Sequence, residues 1–404
     1  MRKAQLSVAL VALASTLLVA GCAVPVDRTA RAAAGPTTTP AAHPRPPDPA
    51  ASGRQALPSS SRLGGMPADL VAGDVYSADR PGALSAAVQG LASRVYVPNS
   101  EGSSVDVLDP TSVEPARRFA TGKNPQHVVP SYDLRTLWIL NDLADTVTAL
   151  DPRASRPGKV FRVTDPYNLY YTPDGRSAVV VAERLRRLDF RDPHNWRLQQ
   201  TVKTPGCRGI DHADFTADGR SALFSCEFSR SLLRLDVASR RVTAVVRLPG
   251  AAGSSPQDVK LSPDGRVFYV ADRYRDGVWI IDAATTAVAG FLPTARGAHG
   301  LYVSRDSKDL YVSNRLGQSV SVVSFATRRV RATWRVPGGT PDMGGVSADG
   351  RVLWLSGRYS NEVYAIDIPT GRLRRRIQVD RQPHGLAVFP QPGRYSLGHT
   401  GVYR

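Results

Sequence analysis

One turn recurs along this chain, and its spacing restricts what the chain can fold into. Asp133-Leu134-Arg135, Asp174-Gly175-Arg176, Asp218-Gly219-Arg220, Asp264-Gly265-Arg266, Asp306-Ser307-Lys308 and Asp349-Gly350-Arg351 stand 41 to 46 residues apart. An apolar run follows each, such as Leu137-Trp138-Ile139 or Val267 to Val270, and then a loop and a second run such as Val278 to Asp282. Asp-Gly between apolar runs signals a hairpin, because Gly takes the positive φ that tight turns need. Strand content repeated near every forty residues marks a β-propeller, whose blades bury their faces only against one another. The expected fold class is all-β, with the propeller over residues 69–404.

The repeats resemble the YVTN-repeat, YncE-like β-propeller family. The lines that carry the resemblance include Leu310-Tyr311-Val312-Ser313-Asn314, Ser319 to Val323 and Pro383-His384-Gly385-Leu386-Ala387-Val388. It implies seven four-stranded blades, with Pro383 to Phe389 as the inner strand that closes the ring against the first blade. Residues 82–90 compete for that place, so an eight-bladed closure stays open. Such propellers include binding proteins, lactonases, lyases and haem-carrying relatives, so the resemblance implies a fold and no single activity.

Ahead of the repeats, residues 1–22 read as an export signal. Arg2 and Lys3 precede the apolar run Leu6 to Val19, and Val19-Ala20-Gly21-Cys22 matches a lipobox. The run is too short for a membrane span. The expectation is an extracytoplasmic protein held to the outer face of a membrane by a lipid on Cys22. Residues 23–68, rich in Ala, Pro, Ser and Thr, read as a disordered tether.

Within a propeller the innermost strands line the central channel. Here the strand starts carry polar residues in one register: Gln126-His127, Tyr167-Asn168, Asp211-His212, Gln257-Asp258, His299-Gly300, Asp342-Met343 and His384-Gly385. Of seven histidines, four fall in that register, while His43 lies in the tether, His194 in a loop and His399 in the tail. His127, Asn168, Asp211, His212, Asp258, His299, Asp342 and His384 are the candidate ligand or metal ring. Imidazole and carboxylate are ligands for divalent metals and groups for acid–base work near neutral pH. The other reading is polar channel lining that solvates strand ends and nothing more.

The loops after the first blade strands lie on the same face and repeat Arg at Arg184, Arg273, Arg315 and Arg358. These form either an anion-binding collar, since guanidinium takes oxyanions through paired hydrogen bonds, or ion pairs with nearby acids. The formal net charge is +17, yet only six of 52 basic residues are Lys. That balance fits nucleic acid or a wall polyanion as partner, or an Arg-biased genome. Cys207 and Cys226 share one repeat, where a disulfide, a metal site and free thiols all remain open.

The sequence contains no Gly-rich phosphate loop, CxxC, CxxCH or G-x-S-x-G motif. The leading expectation is therefore a monomeric, lipid-anchored propeller that binds a small anion or a protein partner on its ring face without catalysis. The alternatives are a metal-assisted lactonase or lyase using the His/Asp ring, a haem-related role, and polyanion binding.

Overall fold

The computed structural model describes residues 62–112, 114–250, 253–399 and 401–404. The signal segment, Cys22 and the tether through residue 61 lie outside the described residues. The described chain forms seven four-stranded antiparallel sheets arranged as blades. Blades 2 to 7 take their strands in sequence order. Their inner strands are Pro125–Pro130, Asn168–Tyr171, Ile210–Phe215, Pro256–Leu261, Ala298–Val303 and Pro341–Val346. Inner strands are covered on both faces and are buried along their length, whereas outer strands such as Arg241–Arg247 and Arg329–Arg335 alternate half-buried and exposed positions.

The recurring Asp has a mechanical role. In Ser262 to Arg266, Asp264 Oδ1 accepts a hydrogen bond from Ser262 Oγ at 2.6 Å and another from the Arg266 N–H at 3.1 Å. Thr172–Asp174, Thr216–Asp218, Ser304–Asp306 and Ser347–Asp349 repeat the contact. The next residue is left-handed each time, at φ 72° in Gly265, and Leu134 and Ser307 adopt the same conformation where Gly is missing.

Blade 1 is assembled from both ends of the repeat array. Ala387–Phe389 pairs with Tyr96, Val95 and Arg94 and supplies the inner strand. Residues 82–90 add no blade. They run across the face that carries the Asp turns, where Gly82 N–H donates to Ala348 O at 3.1 Å and Val88 is buried. Seven blades close the ring. On that face Val75 N–H likewise donates to Pro263 O, and the buried pair Arg305–Asp79 ties this strap to blade 6.

Residues 390–404 enter the channel from the same side. Leu397 O accepts from Tyr171 N–H and His399 N–H donates to Leu169 O, so the segment lies along the inner strand of blade 3. It then doubles back, with Leu397 N–H donating to Val402 O, and Arg404 pairs with Asp214 at 2.8 Å. Tyr395, Leu397 and Val402 pack into the cluster of Phe215, Phe224 and Leu233. The segment plugs the channel.

Candidate functional site

In blades 4 to 7 the polar pairs sit in a repeated irregularity of the inner strands. In blade 4 the ladder skips from Ile210–Cys226 to Ala213–Phe224, leaving Asp211 and His212 opposite Ser225 alone. Gln257-Asp258, His299-Gly300 and Asp342-Met343 stand likewise opposite Ala271, Ser313 and Ser356. Each is a β-bulge, which frees two adjacent residues from strict alternation. In three of the four, the facing serine fills the gap in the ladder. Ser225 Oγ accepts the His212 N–H at 3.1 Å, Ser313 Oγ accepts the Gly300 N–H at 2.8 Å, and Ser356 Oγ accepts the Met343 N–H at 3.2 Å.

The irregular starts of the inner strands and the segment before the closing strand bring the imidazoles into one buried cluster. Ring centroids lie 4.9 Å apart for His127 and His384, 5.9 Å for His127 and His212, 6.0 Å for His212 and His299, and 6.3 Å for His299 and His384. A fifth ring enters from the plug. His399 lies 4.5 Å from His212 and 5.1 Å from His127, and it is fully buried. Its place in a tail outside the repeat gave no register signal. The only sequence hint was a Gly on both sides, Gly398 and Gly401, where the plug turns with positive φ.

Two trios stand out. His212, Asp258 and His399 each offer one ligand atom within 4.8 Å of the others, as do His299, Asp342 and His384. Asn168 Nδ2 donates to Nδ1 of both His212 (3.1 Å) and His399 (3.2 Å) and so holds the two rings. The Asp258 carboxylate accepts the N–H groups of Val259 and Leu301, both at 2.9 Å. In the second trio His299 Nδ1 lies 3.0 Å from Asp342 Oδ1, and the Arg315 Nε reaches the same oxygen at 2.9 Å. Asp211 stands apart from both trios. Its Oδ1 lies 3.1 Å from His212 Nε2 without hydrogen-bond geometry, and neither atom has another partner.

Burial sets the charge states. It pushes His127 down to about 3, helped by the Arg358 charge, and it depresses His212, His299, His384 and His399 as well. The rings are therefore neutral at physiological pH. Burial raises Asp258 to about 6 against the opposing pull of Lys260, and it raises Asp211 well above the ordinary carboxylate value, with Glu227 and Glu183 adding repulsion. Burial works to raise Asp342 too, yet Arg315 and the neighbouring imidazoles hold it well below the ordinary carboxylate value.

The four collar arginines behave differently from one another. Arg184 pairs with Asp165 at 2.8 Å, Arg273 with Glu227 at 3.0 Å, and Arg315 is buried on Asp342. Arg358 makes no ion pair among the described residues and bears electrostatically on His127, His384 and Tyr167. The collar is thus mostly a set of ion pairs. Cys207 and Cys226 form a disulfide, with Cα atoms 5.1 Å apart, beneath the loop of Phe228.

Those same loops carry a feature that residue type alone did not reveal. Leu143, Leu185, Phe228, Tyr274, Leu316 and Tyr359 occupy equivalent positions in blades 2 to 7 and are 45 to 60% exposed. Together they form a crown of apolar tips around the mouth, interleaved with Arg184, Arg273, Arg315 and Arg358.

A family model for YNCE-like β-propellers matches residues 68–394. Solved propellers share the fold at low identity. Hydrazine synthase of Kuenenia stuttgartiensis is 20% identical with a TM-score of 0.59, over 69% of this chain and 96% of that one. A functionally unknown protein of Desulfotomaculum acetoxidans is 15% identical at 0.60, over 73% and 98%. Dihydro-heme d1 dehydrogenase NirN is 17% identical at 0.57, over 84% and 82%. Comparison with curated proteins gives no match. A haem does not fit this mouth: rings 4.5 to 6.3 Å apart and the plug fill the space that a macrocycle needs.

Proposed function

This chain belongs to the YncE-like β-propeller family, and from that premise we propose that it is a lipid-anchored, extracytoplasmic propeller that docks a protein partner on its ring face. The observation that carries the reading is the crown. Six apolar side chains, one in each of blades 2 to 7, stand exposed at equivalent loop positions around a single mouth. Apolar groups clustered at one end of a soluble domain favour contact with another surface, and aromatic tips beside Arg are the residues that dominate such contacts. Arg208 and Arg275 are exposed at the rim and Arg358 is partly so, so the matching surface is apolar at its centre with carboxylates around it.

A small anion is the less supported ligand, because three of the four collar arginines already hold carboxylates. A metal-assisted lactonase or lyase also lacks support: the ring side chains are at most 6% exposed, so a substrate reaches them only if the mouth opens. The lipobox at Cys22 and the Pro-rich segment after it support an anchored domain with room to reach a neighbour.

The test is site-directed photocrosslinking in envelopes of cells that make the full chain. A crosslinker at Phe228 or Tyr274 is expected to trap one discrete protein, and Leu316→Ser with Tyr359→Ser is expected to reduce that product at least several-fold. Crosslinking no greater than at Leu198, an exposed outer-strand position, sinks the reading. Capture of nucleic acid with steep loss in salt points to polyanion binding instead.

A further inference from the structure

We propose that His212, Asp258 and His399, joined by His127, form a binding site for one divalent transition-metal ion of the zinc class. The site goes beyond the docking face: it lies inside the channel, and its last ligand is carried by the plug.

Convergence is the first observation. One nitrogen from each of two imidazoles and one oxygen of Asp258 lie within 4.8 Å of one another. A tetrahedral zinc with ligand bonds of about 2.0–2.2 Å sets its donors about 3.3 Å apart. Small side-chain rotations close that gap. All three residues are completely buried, so the site is dry and shaped before any ion arrives.

Unmet bonding capacity is the second. His127 is fully buried with neither ring nitrogen hydrogen-bonded, and the Nε2 of His212 is likewise without a hydrogen bond. Buried polar atoms nearly always find partners, so the two unpartnered ring nitrogens of His127 call for a ligand. A Lewis-acidic cation takes a lone pair that no donor of the chain meets. Three imidazoles with one carboxylate match the donor preference of zinc and its neighbours rather than of calcium or magnesium.

Support around the donors is the third. Two backbone N–H groups orient the Asp258 carboxylate, and Asn168 fixes the ring planes of His212 and His399. Ligating carboxylates are commonly held by such hydrogen bonds. The second trio already holds a cation, since the buried Arg315 guanidinium pairs with Asp342 Oδ1 and neutralises the charge that would attract an ion. Lys260 is the competing cation for the first trio, as its charge reaches Asp258, His212 and His399. Its Nζ hydrogen-bonds to none of them, and it leaves the donors unblocked.

The experiment uses the full chain, stripped of metal and titrated with Co(II) and then Zn(II). One equivalent of Co(II) is expected to give visible d–d absorption that Zn(II) abolishes. His399→Ala and His212→Ala are expected to weaken Zn(II) binding at least about 10-fold, while His384→Ala and the exposed-loop His194→Ala leave it unchanged. Asn168→Asp is expected to retain binding and Asn168→Leu to weaken it. Because a buried substitution can unfold the protein, histidine ring nitrogen resonances are also followed in the unsubstituted chain. Shifts confined to three imidazoles on adding Zn(II) support the site. Absence of both a stoichiometric Co(II) spectrum and ring shifts overturns it, as does loss of binding in His384→Ala alone.

Discussion

The imidazole of His127 rests on the backbone of Gly385: a methyl carbon built on residue 385 would stand 1.9 Å from its Nδ1. Gly385 belongs to the segment that leads into the closing strand, and its carbonyl accepts the Val128 N–H at 3.0 Å. The residue that seals the ring thus also sets how far His127 can move.

Gly385→Ala is therefore expected to displace His127 or shift the seam, at a loss of about 1–3 kcal/mol in stability. Guanidinium unfolding followed by tryptophan fluorescence measures it. An unchanged midpoint means that His127 has room to retreat.

Arg315 and Asp342 form a buried pair, so removing only the cation strands a charge. Arg315→Met is expected to cost about 3–5 kcal/mol. Lys308→Met breaks a pair in which both side chains are more than half exposed, and is expected to cost less than about 1 kcal/mol. Equal effects for the two variants contradict this ordering.

Acid is expected to act through the imidazoles. The folded-state pKa of His127 lies near 3, against an ordinary value of 6.5. Between those values the unfolded chain binds a proton that the folded chain does not, so stability falls as pH drops below about 6.5, by up to about 1.4 kcal/mol per pH unit. Asp258, raised to about 6, works in the opposite sense, so the comparison must isolate His127. The stability advantage of the metal-free wild type over His127→Leu should shrink between pH 7 and pH 5 in urea titrations. A growing advantage contradicts the sign.

The Cys207–Cys226 bridge closes a loop with a sequence separation of 19. Cys207→Ala with Cys226→Ala is expected to lower stability by about 3 kcal/mol. Gly209 lies against the Phe228 ring, so the same variant should also raise proteolytic cutting near Phe228. A thermal midpoint equal to that of the oxidised wild type argues against a bridge.

The propeller was readable because its turn chemistry is local. An Asp that accepts from a hydroxyl two residues earlier, followed by a left-handed residue, leaves its trace in every copy from Ser131 to Arg351. The inner-strand register was also readable, since His127, His212, His299 and His384 fall at equivalent steps. His399 was not, because it reaches the cluster through a plug with no repeat to align it. The pairing of Arg315 with Asp342 joins different blades, and a single sequence holds no signal for which arginine meets which acid. The crown escaped notice for another reason. Leu, Phe and Tyr in strand-rich repeats read as core, and only loop geometry shows Leu143, Phe228 and Tyr359 facing outward.

The seam between Arg94–Tyr96 and Ala387–Phe389 also sets the order of assembly. Blades 2 to 7 pair strands that follow one another closely, whereas blade 1 waits for a segment almost the whole propeller away, and distant pairing is slow to form. Until Phe389 emerges, the strand Arg94–Asn99 presents an open edge of the kind that recruits other chains. A growing chain is thus most vulnerable once blades 2 to 7 are made and the closing strand is not, and Ala387–Phe389 turns an adhesive intermediate into an inert ring.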